Sequence, residues 1–230
     1  ISPELLRKDP SNLLLARGPQ VRLQAELIRD HALSVSGLLS KQVGGPSVMP
    51  YQPKGLWLQV ASGNQELKEY IQGHGPELYR KSMYTFWKRS LPPPSMIIFD
   101  AATREQCAVE RQSTSTPMQA LVLMNDPQFV EASRWIAQRL LLEGGKTDRD
   151  RIQFAFRLAT SRTPGEKELA LLTSLLQDQL KMFQSEPVRA EQFLKIGEYP
   201  AEQEADMIEL AAYTVVANTI MNLSETILKG

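Results

Sequence analysis

Between positions 100 and 126 the chain places three carboxylates beside two arginines: Asp100, Glu105 and Asp126 with Arg104 and Arg111. Paired carboxylates across a cleft are what glycoside hydrolysis uses, one as acid and one as base or nucleophile. Arginines beside them would hold an anion, such as a sulfated sugar. Trp57, Tyr84 and Trp87 could stack on sugar rings, although such aromatics are more often part of a core. No Ser–His or Cys–His pairing is spelled out. Cys107 is the single cysteine, so the chain forms no internal disulfide. Arg104 and Arg111 flank it, and a nearby cation can lower a thiol pKa. The plainer reading is a small buried residue. His31 and His74 lie far apart with no second ligand beside either, so a zinc or two-metal site is not indicated. There is no C-x-x-C-H, so no haem c attachment is expected in this chain.

A second reading of the charges is structural. Arg22, Glu26, Arg29 and Asp30 line one face of a helix, and Arg89, Asp100, Arg104, Cys107, Arg111, Gln119, Asn125 and Asp126 follow in the centre of the chain. These twelve form a candidate polar network. Buried charges must be paired, so such a network would fix the irregular chain around it.

The elements that position these residues read as mainly helical. We expect a bundle-like helical domain over 1–230, with a long irregular region at about 41–115 and a helical part at about 146–230. At most a small two-stranded β element is expected. A helix is predicted from Pro19 to Ser40, with Val21, Ile28, Ala32, Val35 and Leu39 on its apolar face. Pro46, Pro50 and Pro53 then forbid regular helix. Residues 56–60 and the alternating segment from Tyr79 to Ser90 read as two strands that could pair. Residues 67–72 read as a helical turn, and Asp100 as the cap of another turn over 101–106. Thr116-Pro117-Met118-Gln119 is a capping box with proline at the first helical position. Its helix is apolar nearly all round, which predicts a central place. Further helices are expected at 126–143, 148–160, 163–183, 188–194, 200–221 and 222–228.

Composition narrows the classes. Apolar residues make up 42% of the 230, enough for a real core, and 26 basic side chains balance 26 acidic ones. That balance argues against a nucleic-acid binder, which usually carries a basic surplus. No apolar run approaches the roughly 20 residues of a membrane span. The chain does not open on methionine, which predicts a piece or processed form of a longer protein.

The blocks VRLQAELIRD at 21–30, GGPSV at 44–48, LYRKSMYTFWKRSLPPPSMIIFDAATREQCAV at 78–109 and TPMQALVLMNDPQFVEASR at 116–134 resemble the PSD1 family, the domain of unknown function 1553. FRLATSRTPGEKEL at 156–169 and the ending NTIMNLSETILKG are similar to it too. The resemblance implies a domain of planctomycete-type exported proteins, periplasmic or extracellular. It implies upstream cytochrome-c-like and 1549-type domains as partners, with any haem c on them. It supplies no catalytic mechanism. The family tends to read V-R-R-Q-R-T-N-T-P where this chain has Val109-Glu110-Arg111-Gln112-Ser113-Thr114-Ser115-Thr116-Pro117, and Ser224 replaces an acid. An anion site built on that basic run is therefore weakened here. The expectation is a non-catalytic scaffold or interaction domain. The alternative is a glycan-binding module or a polysaccharide-active enzyme using Asp100, Glu105 and Asp126.

Overall fold

The computed structural model describes residues 3–18, 21–59, 69–199 and 205–229. Within these residues the chain is mainly helical. After α1 (Pro3–Lys8) come a two-residue strand β1 (Val21–Arg22) and α2 (Ala25–Ser36). The short helices α3 (Leu56–Gln59) and α4 (Pro94–Ile98) interrupt the irregular part. Then follow α5 (Pro117–Asn125), α6 (Pro127–Glu143), α7 (Asp148–Thr160), α8 (Glu166–Ser185), α9 (Pro187–Leu194), α10 (Met207–Met221) and α11 (Ser224–Ile227). A last strand, β2 (Leu228–Lys229), pairs antiparallel with β1, Val21 opposite Lys229 and Arg22 opposite Leu228.

Local chemistry sets most of the helix starts. Proline opens α5, α6 and α9, where its missing N–H would be unpaired anyway. Asp126 caps α6 by accepting from Gln128 N at 3.1 Å, and Asp206 caps α10 by accepting from Glu209 N at 2.9 Å. Thr147 and Asp150 form a reciprocal box at α7. Gly37, with φ 88°, ends α2 in the left-handed conformation that glycine adopts without steric cost.

The core is centred on α10. Its apolar residues point in all directions, so it must be surrounded. Leu210, Tyr213, Val216 and Ile220 are buried in it. It packs on α6 and α8, with α7 and α9 alongside, while α2 lies on α6. Ile28, Ala32 and Val35 from α2 join Ile136, Leu140, Ile152, Phe156 and Leu176 in the same apolar cluster.

Several expectations are corrected. The helix predicted from Pro19 begins only at Ala25, because Val21 and Arg22 pair with β2 instead. The strand predicted at 56–60 is helical over Leu56–Gln59, and Val60 lies outside the described residues. The strand predicted from Tyr79 to Ser90 is two 3₁₀ turns, Gly75–Tyr79 and Ser82–Tyr84, followed by single bridges. Its partner is Val48, whose N–H donates to Tyr84 O and whose carbonyl accepts from Phe86 N, both at 2.8 Å. Prolines on both sides keep that contact from growing into a ladder. Lastly, α5 is not central: Gln119 and Leu123 are buried, but Met118, Leu121 and Met124 are about half exposed. The helical turn predicted at 67–72 falls partly on residues outside those described, and 69–72 are irregular.

Candidate functional site

Strand β1 aims Arg22 at the end of α4. Its guanidinium donates to Phe99 O and Gln119 Oε1, each at 3.1 Å, and to Thr114 O and Asp100 Oδ2. The Arg22 and Asp100 side chains are 7% and 14% exposed, so this is a largely desolvated pair. Asp100 has φ 59°, which turns the chain sharply and frees its carboxylate to accept from Thr114 N at 2.9 Å and Thr114 Oγ1 at 3.0 Å. Burial works against the Asp100 carboxylate, but the bonds from Thr114 and Arg22 outweigh it and hold its pKa below the usual range. Gln119 completes the group by donating to Ile98 O at 2.9 Å. The predicted turn over 101–106 is absent, since Asp100 serves Thr114 rather than the residues that follow it.

Beside this cluster, Arg111 donates to Glu26 at 2.8 Å. Burial opposes the Glu26 charge, yet the bond from Arg111 and the cations Arg111 and Arg104 keep its pKa low. A cleft of about 420 Å³ lies between residues 21–24, 99–100 and 108–113.

A second cluster forms around Arg29 on α2, whose side chain is 3% exposed. It donates to Gln128 Oε1 and Leu78 O at 2.6 Å, to Arg80 O at 2.8 Å and to Ser82 Oγ at 3.1 Å. Asp30 accepts from Ser82 N at 2.7 Å and sits 3.8 Å from Arg29. Asp126 is close enough to feel the Arg29 charge, but burial dominates and pushes its carboxyl up to about 6. Arg80 continues the pattern: it donates to Pro46 O at 3.0 Å and to Gly44 O, and lies over the Tyr84 ring.

The third cluster centres on Glu131, which is 0% exposed in the middle of α6. Its carboxylate accepts from Tyr51 and Tyr79 hydroxyls at 3.0 Å, Glu198 N at 2.8 Å and Tyr199 N at 2.7 Å. Arg134, one turn on, is 3.5 Å away and donates to Leu194 O at 3.0 Å and to Tyr199 O. Burial and the Glu131 charge both raise the Tyr51 and Tyr79 pKa values, so these phenols stay protonated donors.

With these contacts in view, the comparisons place the chain. The family model described as PSD1, protein of unknown function (DUF1553), matches residues 1–176. The chain belongs to the PSD1 family. No curated protein and no solved structure matched it. The match contains Arg22, Arg29, Arg80, Asp100, Glu131 and Arg134, and stops short of the 198–199 backbone that closes on Glu131 and of the ending at 218–230.

This PSD1 chain therefore divides the twelve predicted network residues. Arg22, Asp100 and Gln119 meet in the first cluster, with Glu26 and Arg111 paired beside it. Arg29, Asp30 and Asp126 belong to the second. The other four bond into neither cluster, although the Arg104 charge helps to keep the Glu26 pKa low. Arg89 and Cys107 are exposed, Asn125 bonds back to Leu121 O within α5, and Arg104 lies over the Trp87 ring at 4.4 Å. The acid candidates are separated as well: Asp100 is ion-paired, Asp126 caps α6, and Glu105 is exposed. The Glu131 cluster went unrecognised in the sequence. Its one local signal is a glutamate between Val130 and Ala132 on the apolar side of α6. Among the described residues, no group of three or more His, Cys, Asp or Glu side chains could hold a metal ion, and no helix is long and apolar enough to cross a membrane.

Proposed function

We propose that this PSD1 chain is a non-catalytic assembly domain of an exported, cytochrome-c-associated protein, periplasmic or extracellular. One observation carries the reading. The buried arginines Arg22, Arg29, Arg80 and Arg134 each donate to main-chain carbonyls of the irregular segments. An arginine that holds a substrate anion must keep N–H groups free for it. These spend their terminal N–H groups on backbone and, for Arg22, on Gln119 and Asp100, and the Nε–H groups that stay unpartnered on Arg22, Arg80 and Arg134 are buried, so the four set loop shape. The loops in turn present an exposed stretch from 103 to 118, the natural place for a partner to rest. The partners are the cytochrome-c-like and 1549-type domains that accompany the family, and any haem c sits on them.

The glycan and enzyme readings have less to stand on. Trp57 is 2% exposed and lies under Lys88, while the Trp87 and Tyr84 rings are covered by Arg104 and Arg80. Aromatic faces occupied by cations are not open platforms for a sugar.

Calorimetry at two salt concentrations tests the proposal, with the chain titrated against the haem-bearing and 1549-type portions of its parent protein. Stoichiometric association is the expected result. Heat-silent mixing at both salts would overturn it.

A further inference from the structure

Leu13, Leu14 and Leu15 are 82%, 79% and 83% exposed. Single exposed apolar residues are common on a surface, but three in a row make a contiguous patch. The loop that carries them is held in shape by buried and bridging polar groups. Asp9 is 5% exposed, and its carboxylate accepts from Leu13 N and Leu14 N, both at 2.8 Å. Leu15 N donates to Asn12 O at 3.2 Å. The Asn12 side chain closes the far end, donating to Arg17 O at 2.8 Å and accepting from Arg17 N at 3.2 Å. The Arg17 guanidinium donates to Asp9 O at 2.6 Å and to Pro10 O. Leu15 holds φ 52°, an unfavourable conformation for leucine, while its side chain gains almost no packing. The result is a fixed knob that turns three leucines outward.

A stable protein interface buries roughly 800 Å² on each partner, from about 20–30 residues. A three-residue knob does not supply that area, whereas a lipid surface closes around whatever enters it. Entry into lipid also requires that backbone N–H groups be satisfied within the chain. All three leucine N–H groups already are. The carbonyls of the same residues accept no backbone bond among the described residues, which stops the knob at the headgroup–acyl boundary, where water still reaches. Charge agrees. Arg7, Lys8 and Arg17 flank the leucines, against Glu4 and Asp9. Glu4 pairs with Lys8 at 2.8 Å and Asp9 is turned inward onto the backbone, so the balance at the base of the knob is cationic. Such a base suits anionic headgroups.

We infer that residues 13–15 are an interfacial anchor that inserts into a lipid surface, with the cations at its base meeting anionic headgroups. Apolar groups of this kind enter about 5–10 Å, to the boundary between headgroups and acyl chains. A knob this small gives weak, reversible binding that anionic lipid strengthens. The inference goes beyond the assembly reading, since it names a membrane surface as a second contact and needs none of the partner domains.

Co-sedimentation of the full chain with vesicles tests it, using phosphatidylcholine alone and phosphatidylcholine mixed with phosphatidylglycerol. Binding is expected to the mixed vesicles and, more weakly, to phosphatidylcholine. The triple variant Leu13→Ser, Leu14→Ser, Leu15→Ser should weaken binding by about tenfold or more. Its melting temperature should stay at the wild-type value, because the three side chains are exposed. Leu171→Ser removes a lone leucine, 72% exposed on α8, and should leave binding unchanged. Leu14→Trp gives an independent reading: the emission it adds to the wild-type spectrum should shift to the blue on mixed vesicles. No binding to either vesicle overturns the inference. So does binding that the triple variant retains, or added emission that does not shift. The tryptophan reading decides the matter even if the triple variant fails to fold. Self-association that the serines abolish, without vesicle binding, would assign the leucines to a second copy and overturn the lipid anchor. Vesicle binding without association of the parent domains would leave the anchor standing and remove the assembly reading. Domain association with no vesicle binding would do the reverse.

Discussion

The Gly197 backbone lies against the Glu131 side chain so closely that a Cβ at 197 would sit 2.7 Å from Glu131 Cγ. Gly197 also has φ 93°, a conformation that side-chain-bearing residues rarely adopt. This close approach lets two successive peptide N–H groups, at 198 and 199, reach the buried carboxylate. Gly197→Ala should therefore destabilise the chain by about 2–4 kcal/mol through clash and backbone strain together. Urea denaturation measures it. A loss below about 0.5 kcal/mol would show that the 197–199 segment moves aside freely.

Asp100 and Arg104 give a paired contrast. Asp100 partners a desolvated arginine, and removing one member of such a pair leaves an uncompensated charge. Asp100→Ala should cost about 2–4 kcal/mol on that ground. Arg104 covers the Trp87 ring, a contact of about 0.5–1 kcal/mol at an exposed site, and acts on Glu26 through charge alone. Arg104→Ala should lower the melting temperature by far less than Asp100→Ala. Equal losses would mean that Arg104 belongs to the network after all.

Stability should respond to pH through Asp126. Its folded pKa is raised to about 6, above the unfolded value of about 3.9. Between those values the unfolded chain ionises first, so stability falls as pH rises from about 4 to 6, and the cost is complete above that. Asp126→Asn keeps an efficient helix cap and removes the titration. It should stabilise the protein at pH 7 by up to about 3 kcal/mol, and have no such effect below pH 4. A variant no more stable than wild type at pH 7 would count against the buried-acid assignment.

His31 titrates the opposite way. Burial lowers its pKa, and a bond to the Ala159 carbonyl only partly offsets this. The folded state therefore favours neutral imidazole. Its contribution is present above the unfolded value of about 6.5 and declines as pH drops below that, because the unfolded chain takes the proton first. His31→Gln should flatten the stability profile on the acid side of pH 6.5. An unchanged slope there would assign the acid sensitivity to other groups.

Cys107 lies on the exposed 103–118 stretch, not in the core as free cysteines usually do. It should react stoichiometrically with a maleimide in the native protein, at a rate within tenfold of the denatured chain. Protection much beyond that would mean that the stretch packs over it.

Helical class was legible from the residues, because a helix is closed by bonds four residues apart and signalled by local chemistry. Pro117, Asp126 and the apolar stripes mark their own helices. The alternation from Tyr79 to Ser90 misled because large residues on both faces suit a covered strand and a wrapped 3₁₀ turn equally. Hydrogen bonds to Val48 decided between them. The exposed half of α5 was hidden for a similar reason: an apolar helix predicts burial, but only packing says which face finds a neighbour. The charged residues could be picked out, yet not sorted into clusters. Arg22 reaches Gln119 across 97 positions, and Arg29 reaches Gln128 across 99. Glu131 draws on Tyr51, Tyr79 and the 198–199 backbone, which lie in three separate segments. Composition and local spacing determine which groups need partners. Which partners they find depends on how α2, α6 and the irregular segments fold against one another, because burial makes an unpaired charge costly wherever its partner lies in the chain.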